Sequence, residues 1–134
     1  MIIQELLIEN SLQQTECRIN VLELLINSET ALSEEDIMQK IDRKFNKTSI
    51  YRTLNTFKEK GIIHRIITDL NISKYSISKK NMTENHIHFE CKKCNSVYCF
   101  AEYGINKLTI PEGFENKDSN ILIKGICKKC NFNK

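Results

Sequence analysis

Two copies of one tetrapeptide, Cys91-Lys92-Lys93-Cys94 and Cys127-Lys128-Lys129-Cys130, constrain this chain more than any other feature. A tight Cys-x-x-Cys turn points both of its sulfurs the same way, and four thiolates close the tetrahedral shell of a structural zinc ion. The insert between the pairs is longer than that of a small zinc ribbon. The spacing therefore predicts one ion stapling two hairpins of a domain together. The competing readings are two disulfides, or core cysteines spaced by chance. Paired motifs of this kind in an intracellular chain point to metal.

The N-terminal run Met1-Ile2-Ile3-Gln4-Glu5 has no basic segment and no long apolar stretch. No signal peptide or membrane span is expected, and the expected location is the cytoplasm, where six cysteines stay as thiols or bind metal. A length of 134 residues suits one domain or two very small ones. Domains that small rarely hold together by burial alone and recruit a metal or a second subunit. The net charge of +3 decides little, but its distribution is uneven. Residues 1–30 set five glutamates against Arg18, whereas residues 40–65 carry Lys40, Arg43, Lys44, Lys47, Arg52, Lys58, Lys60 and Arg65 against Asp42 and Glu59. A basic cluster of that kind suits phosphate binding or a solvated face.

Helical periodicity at Ile2, Ile3, Leu6 and Leu7 predicts a first helix. Thr15 suits the cap of a second, with Ile19, Leu22, Leu25 and Ile26 inward. Ser33-Glu34-Glu35-Asp36 has the form of a capping box opening a third helix, with Ile37 and Ile41 inward. Asn46 or Thr48 starts a fourth, in which Ile50, Leu54 and Phe57 share a face and Gly61 is the stop. A hairpin follows, from Ile62–Ile67 through Asp69-Leu70-Asn71 to Lys74–Ser78. Helices followed by such a hairpin form a winged helix-turn-helix. The fourth helix is then the recognition helix: Lys47, Thr48, Ser49, Tyr51 and Arg52 in its N-terminal half meet base edges and phosphates of a duplex.

The aperiodic polar run Lys79–Asn85 reads as a linker, giving a DNA-binding domain 1–79, a hinge 80–85 and a second domain 86–134. The second domain is expected to have strands near His86–Cys91 and Val97–Phe100, a short helix around Glu102–Leu108 and a turn at Pro111-Glu112-Gly113. A hairpin, Phe114–Lys117 with Ile121–Gly125, is expected to turn through Asp118-Ser119-Asn120. A sheet that small leaves an edge, and pairing it across a two-fold axis forms a homodimer.

On a strand, His86, His88 and Glu90 share one face and Ile87 and Phe89 the other. The expectation is that the apolar pair enters the core while both imidazoles line a groove as half of a metal site. His64, at the start of the wing, and Cys99 are two further candidate ligands. Taken singly they read as a surface residue and a small buried hydrophobe. With His86 and His88 they give three nitrogens and a sulfur, a donor set that favours zinc over iron or manganese. Cys17 is expected in the core. A zinc-enzyme reading of His88-Phe89-Glu90 before Cys91 fails: a deaminase pattern separates those parts and has a Pro before the first Cys, and four thiolates leave no open position.

With these residues in place, the sequence resembles the ferric uptake regulator (Fur) family of bacterial metal-responsive repressors over nearly its whole length. The resemblance rests on Thr15-Glu16-Cys17-Arg18 and Ser49-Ile50-Tyr51-Arg52-Thr53-Leu54. It also rests on Gly61, His86-Ile87-His88, both cysteine pairs and Gly113-Phe114. It implies a homodimer of winged-helix domains on a zinc-stapled dimerisation domain, with a second metal site at the hinge. It also implies base contacts by Tyr51 and Arg52, backbone contact supported by Arg18, and hinge ligation by His86 and His88. Several positions depart from the family pattern. Ala31 stands where iron and peroxide sensors place a His, and Cys99 where they place an acidic ligand. His64 matches the zinc-sensing branch, Ser78 stands where that branch often has Cys, and Asn95 replaces the usual Gly.

The expectation is thus an α+β chain, a winged-helix domain followed by a small α/β dimerisation domain stapled by a four-cysteine zinc site. Its function is read as a metal-dependent repressor of metal-homeostasis genes that responds to zinc through a second, regulatory site. The alternatives are an iron- or peroxide-responsive member, or a DNA-binding protein with structural zinc only. The expected partners are an operator duplex and a second copy, with no membrane and no small-molecule substrate.

Overall fold

The computed structural model describes residues 2–41, 45–78, 86–104, 109–116 and 121–132, and the expected linker lies outside them. The chain divides into two compact units, Met1–Ser78 and Lys79–Lys134. The first contains α1 (Ile2–Glu9), α2 (Glu16–Asn27), β1 (Leu32–Ser33), α3 (Glu34–Lys40), α4 (Lys47–Glu59), β2 (Ile63–Ile67) and β3 (Ser73–Ile77). The second contains β4 (His86–Cys91), β5 (Val97–Gly104), β6 (Ile121–Gly125) and α5 (Lys128–Phe132). No described helix is long and apolar enough to cross a membrane.

Each main helix of the first unit begins where a side chain can take up an orphan amide. Thr15 Oγ1 accepts from the Arg18 amide at 3.3 Å, and Asn46 Oδ1 from the Ser49 amide at 2.8 Å. Ser33 and Asp36 form the expected reciprocal box. The Asp36 amide donates to Ser33 Oγ at 3.1 Å, and the Ser33 amide to Asp36 Oδ2 at 3.0 Å. Gly61, at φ +74°, takes the left-handed turn that ends α4. The inward faces then meet in one core, where Leu7, Leu22, Ile37, Ile50, Leu54, Phe57 and Ile63 are fully buried. Each such side chain contributes about 1.5–3 kcal/mol by leaving water. Ile26, expected inward, is 36% exposed, and Val21 takes the buried place instead. The wing is a three-stranded sheet of order β1-β3-β2. Its first strand is only two residues long, too short for any periodicity to announce it.

The second unit departs from expectation in three ways. Its sheet has the order β5-β4-β6, with β4–β5 antiparallel and β4–β6 parallel. Ile121–Gly125 therefore belongs to no local hairpin: Phe114–Asn116 has no strand structure, and 117–120 lie outside the described residues. Glu102 lies in β5, which extends to Gly104, so the helix expected from Glu102 does not start there; 105–108 are not described. Finally, the polar face of β4 is the buried one. His88 is 3% and Glu90 4% exposed, alongside buried Val97, while Ile87 and Phe89 are half-buried. Phe89 and Phe100 pack on that opposite face with ring centroids 6.3 Å apart. Gly125 is placed for this packing, since a Cβ there would lie 3.0 Å from Phe89 Cζ.

Candidate metal centres and nucleic-acid face

Cys91 ends β4 and Cys94 closes the turn into β5, helped by Asn95 at φ +64°. Cys127 follows β6, and Cys130 sits in α5, a one-turn helix that carries no readable sequence pattern. The second pair is thus presented by a strand end and a helix, not by the second hairpin expected. The parallel pairing of β4 with β6 brings the two pairs together, because both strands end on the same side; the Lys92 amide donates to the Gly125 carbonyl at 2.7 Å.

The four sulfurs all lie within 4.8 Å of one another. Cys94 Sγ and Cys127 Sγ are 3.8 Å apart. A zinc–sulfur bond of about 2.3 Å gives a tetrahedron whose edge is about 3.8 Å, so the spacing fits that ion. Backbone amides converge on the same sulfurs. Cys91 Sγ accepts from the Cys94 and Cys127 amides at 3.4 and 3.3 Å, and Cys127 Sγ from the Cys130 amide at 3.5 Å. The Cys94 amide leads in bringing the Cys91 thiol down to about 6 against the opposing effect of burial. Cys127 is lowered too, chiefly by the Cys130 amide, with a smaller contribution from the Tyr98 side chain, which no motif singles out. Cys130 is pushed up to about 12, first by bonding to Cys127 and then by burial. All six cysteines are free of disulfides, as a thiolate site requires. Cys17 is half-buried against the core, its Sγ 3.4 Å from Thr53 Oγ1.

A second donor group lies on the buried face of the same sheet. Register places Cys99 opposite His88, and His86 two residues before His88 on the same strand face, beside a bulge. Ligand atoms of His86, His88 and Cys99 lie within 4.8 Å of one another. The two Nε2 atoms are 2.9 Å apart, closer than the edge of about 3.3 Å that two imidazoles define on tetrahedral zinc, as a hydrogen bond between them accounts for. Two imidazoles and a thiol suit zinc; His88 is buried, while His86 and Cys99 are half-buried. His64 is half-buried on β2 in the first unit, its Nδ1 3.3 Å from Ser78 Oγ.

In the first unit, α4 turns Ile50, Thr53, Leu54 and Phe57 inward and leaves Lys47, Thr48, Tyr51 and Arg52 exposed. Ser49 is half-buried and serves the cap through its amide. Arg18 is half-buried in the first turn of α2, its Nη1 donating to the Gln13 carbonyl at 3.1 Å. Beside α4 opens a groove of about 650 Å³, lined by Lys47, Tyr51, Arg65, Tyr75 and Glu34 among others. Arg65 stood out in the sequence only as one charge of the basic cluster. Tyr75 did not stand out at all, although alternation along β3 would have put its ring inward.

A capped, solvent-facing helix on a winged core, carried on the same chain as a four-thiolate site and an imidazole–thiol group, defines a metal-dependent DNA-binding regulator. The Ferric uptake regulator family model matches residues 9–124, and the chain belongs to this family of metal-responsive transcription regulators, which are not enzymes. It is 30% identical over 125 residues to the ferric uptake regulation protein of Bacillus subtilis (strain 168), covering 88% of this chain and 83% of that one. It is 26% identical over 133 residues to the peroxide operon regulator of the same organism, covering 94% and 89%. The zinc uptake regulator solved in complex with zinc and DNA shares the fold. Its TM-score is 0.74 at 20% identity, over 97% of this chain and 91% of that one.

Proposed function

We propose that this regulator is a homodimeric repressor of metal-homeostasis genes that responds to zinc in the cytoplasm. The observation that carries the choice of metal is the clustered His86–His88–Cys99 group, with His88 buried and the other two half-buried, whose sulfur suits zinc better than it suits iron or manganese. Cys91, Cys94, Cys127 and Cys130 would hold a separate, structural zinc, closed to exchange of ligands. His64 is proposed as the fourth regulatory donor on chemical grounds: a three-donor set leaves one position of a tetrahedron to fill, and His64 is an imidazole of the DNA-binding unit.

A bound divalent ion supplies a cross-link among its ligands, and everything else is done by the chain itself. His86 and His88 are oriented by β4 and Cys99 by β5, so the donors converge without rearranging the sheet. Taking His64 into the set would favour the DNA-competent arrangement over others. Moving such an equilibrium from mostly open to mostly closed needs about 5.5 kcal/mol of differential binding. Lys47, Thr48, Ser49, Tyr51 and Arg52 then address the duplex, with Arg18 supporting. The half-open apolar face of the second unit, with Phe100 and Ile123 exposed, supports a partner copy lying against it.

The test pairs metal content per chain with DNA binding for the wild type, His64→Ala and His88→Ala, with zinc, iron or manganese added. Two zinc ions per wild-type chain, and DNA affinity that zinc raises only in the wild type, are expected. Undiminished zinc-dependent binding by both variants would defeat the four-donor set. The names of the Bacillus subtilis relatives favour a second reading, an iron- or peroxide-responsive regulator. Iron in place of zinc at the second site would establish it.

A further inference from the structure

The groove between α3, α4 and the wing adds Arg65 and Tyr75, which the recognition-helix contacts do not use, to Lys47 and Tyr51, which they do. Arg65 is exposed on β2, and register sets it directly opposite Tyr75 on β3. Tyr75 is 8% exposed, with its ring in the core cluster and its residue lining the groove. Lys47, in the first turn of α4, lines the groove from the other side, with Tyr51 next to it. Glu34 and Glu35 line it too, yet neither Lys47 nor Arg65 forms an ion pair with a carboxylate among the described residues. Two cations therefore face one cleft beside the recognition helix without a direct carboxylate partner among the described residues, although Glu34 and Glu35 balance their charge across it.

Resting on the DNA-binding reading above, we infer that this groove seats a backbone phosphate of the duplex, held by Arg65 and Lys47 with the Tyr75 hydroxyl as a further donor. Arg65 can offer two parallel N–H donors to phosphate oxygens, while Lys47 acts as a point charge. Glu34 faces the same cleft and opposes the anion, so it weakens non-specific binding and leaves more of the affinity to base contacts. Such a seat fixes the register of α4 on DNA and carries no sequence information itself.

The test uses the full-length, zinc-loaded chain and duplexes of about 25 base pairs, which exceed the span of one helical turn. One is of random sequence and one is enriched by selection on the wild type, and binding is followed by fluorescence anisotropy across a salt series. Arg65→Gln and Lys47→Gln are each expected to weaken both duplexes by the same factor and to reduce the salt slope by about 0.9. Glu34→Gln is expected to tighten both. Tyr75→Phe keeps the buried ring and is expected to weaken both modestly. Arg52→Ala, by contrast, reduces the preference between duplexes. An unchanged slope and affinity in Arg65→Gln, with the wild type binding normally, overturns the seat. Wild-type failure on every duplex instead overturns the DNA-binding reading. Inorganic phosphate at matched ionic strength is expected not to displace DNA. Displacement from the wild type but not from Arg65→Gln would assign the groove to a free anion and overturn the duplex assignment.

Discussion

His88 and Cys99 are directly opposed across the antiparallel β4–β5 ladder. Opposed residues in such a ladder hold their Cβ atoms about 4.5–5.5 Å apart, so an imidazole and a thiol there can reach one ion without strain. The consequence is a donor pair fixed by sheet register and not by a loop.

Removing either member should selectively empty the regulatory site proposed above. Loss of an outer partner of a metal ligand already costs about 10–100-fold in affinity, and loss of a ligand costs at least as much. His88→Ala and Cys99→Ser are therefore expected to lose the second zinc and keep the first. Cobalt substitution checks the assignment: the thiolate-to-cobalt absorption in excess of the four-cysteine site should vanish in Cys99→Ser. Cys99→Asp should bind iron or manganese better than the wild type does, because oxygen replaces sulfur.

Cys127→Ser should act differently. Structural zinc supplies about 10–16 kcal/mol in small metal-dependent domains, and the second unit has only a thin sheet to fall back on. The expected result is loss of the structural ion and of cooperative melting in the second unit, read by calorimetry, with the helical unit still folded.

Zinc uptake at the four cysteines should release protons, and its affinity should rise with pH. Before uptake, the Cys130 thiol holds its proton up to about 12, so that proton is displaced throughout the neutral range. Cys91 has already lost its proton above about 6. Below that value Cys91 must be deprotonated by the ion as well, so the plot of log affinity against pH should steepen by about one proton on the acid side. Competition with a chelator at fixed free zinc from pH 5 to 8, a range chosen to straddle about 6, reads the change of slope.

Tyr51 and Arg52 are exposed on α4 and bear no share of the core. Arg52→Ala should leave the melting temperature unchanged and cost about 1–3 kcal/mol on a selected duplex, with less effect on random sequence. Asn46→Ala should instead lower stability by about 1 kcal/mol through the lost cap. Thermal melts and binding isotherms on the same samples separate the two effects.

The first unit was legible because its signals are local. Ser33 with Asp36, Asn46 and Gly61 mark helix ends through contacts within four residues, and the stripe Ile50, Leu54 and Phe57 names its own buried face. The second unit was legible only where chemistry spoke, at the cysteines and histidines. Ile121–Gly125 pairs in parallel with a strand more than thirty positions earlier, and no short-range pattern encodes such a partner. Where a helix was expected to begin, Glu102–Gly104 continue β5, a case of tertiary pairing overriding a weak local preference; the rest of that expected helix, 105–108, lies outside the described residues. The inward face of β4 was misassigned because alternation assumes that apolar residues seek the interior. Here His88 and Glu90 lie inward.

Because β4 and β6 run in the same direction, the cysteine clasp binds the sheet at one margin only, as a spine binds pages. His86 lies at the opposite margin, about 17 Å along the strand at 3.3–3.4 Å per residue. Hydrogen exchange should find the amides around Cys91 and Gly125 slow and those around His86 and Ile121 quick. The outer margin can then breathe while the spine stays shut, which would leave the histidines proposed to sense metal free to respond in a fold whose cysteine end does not open.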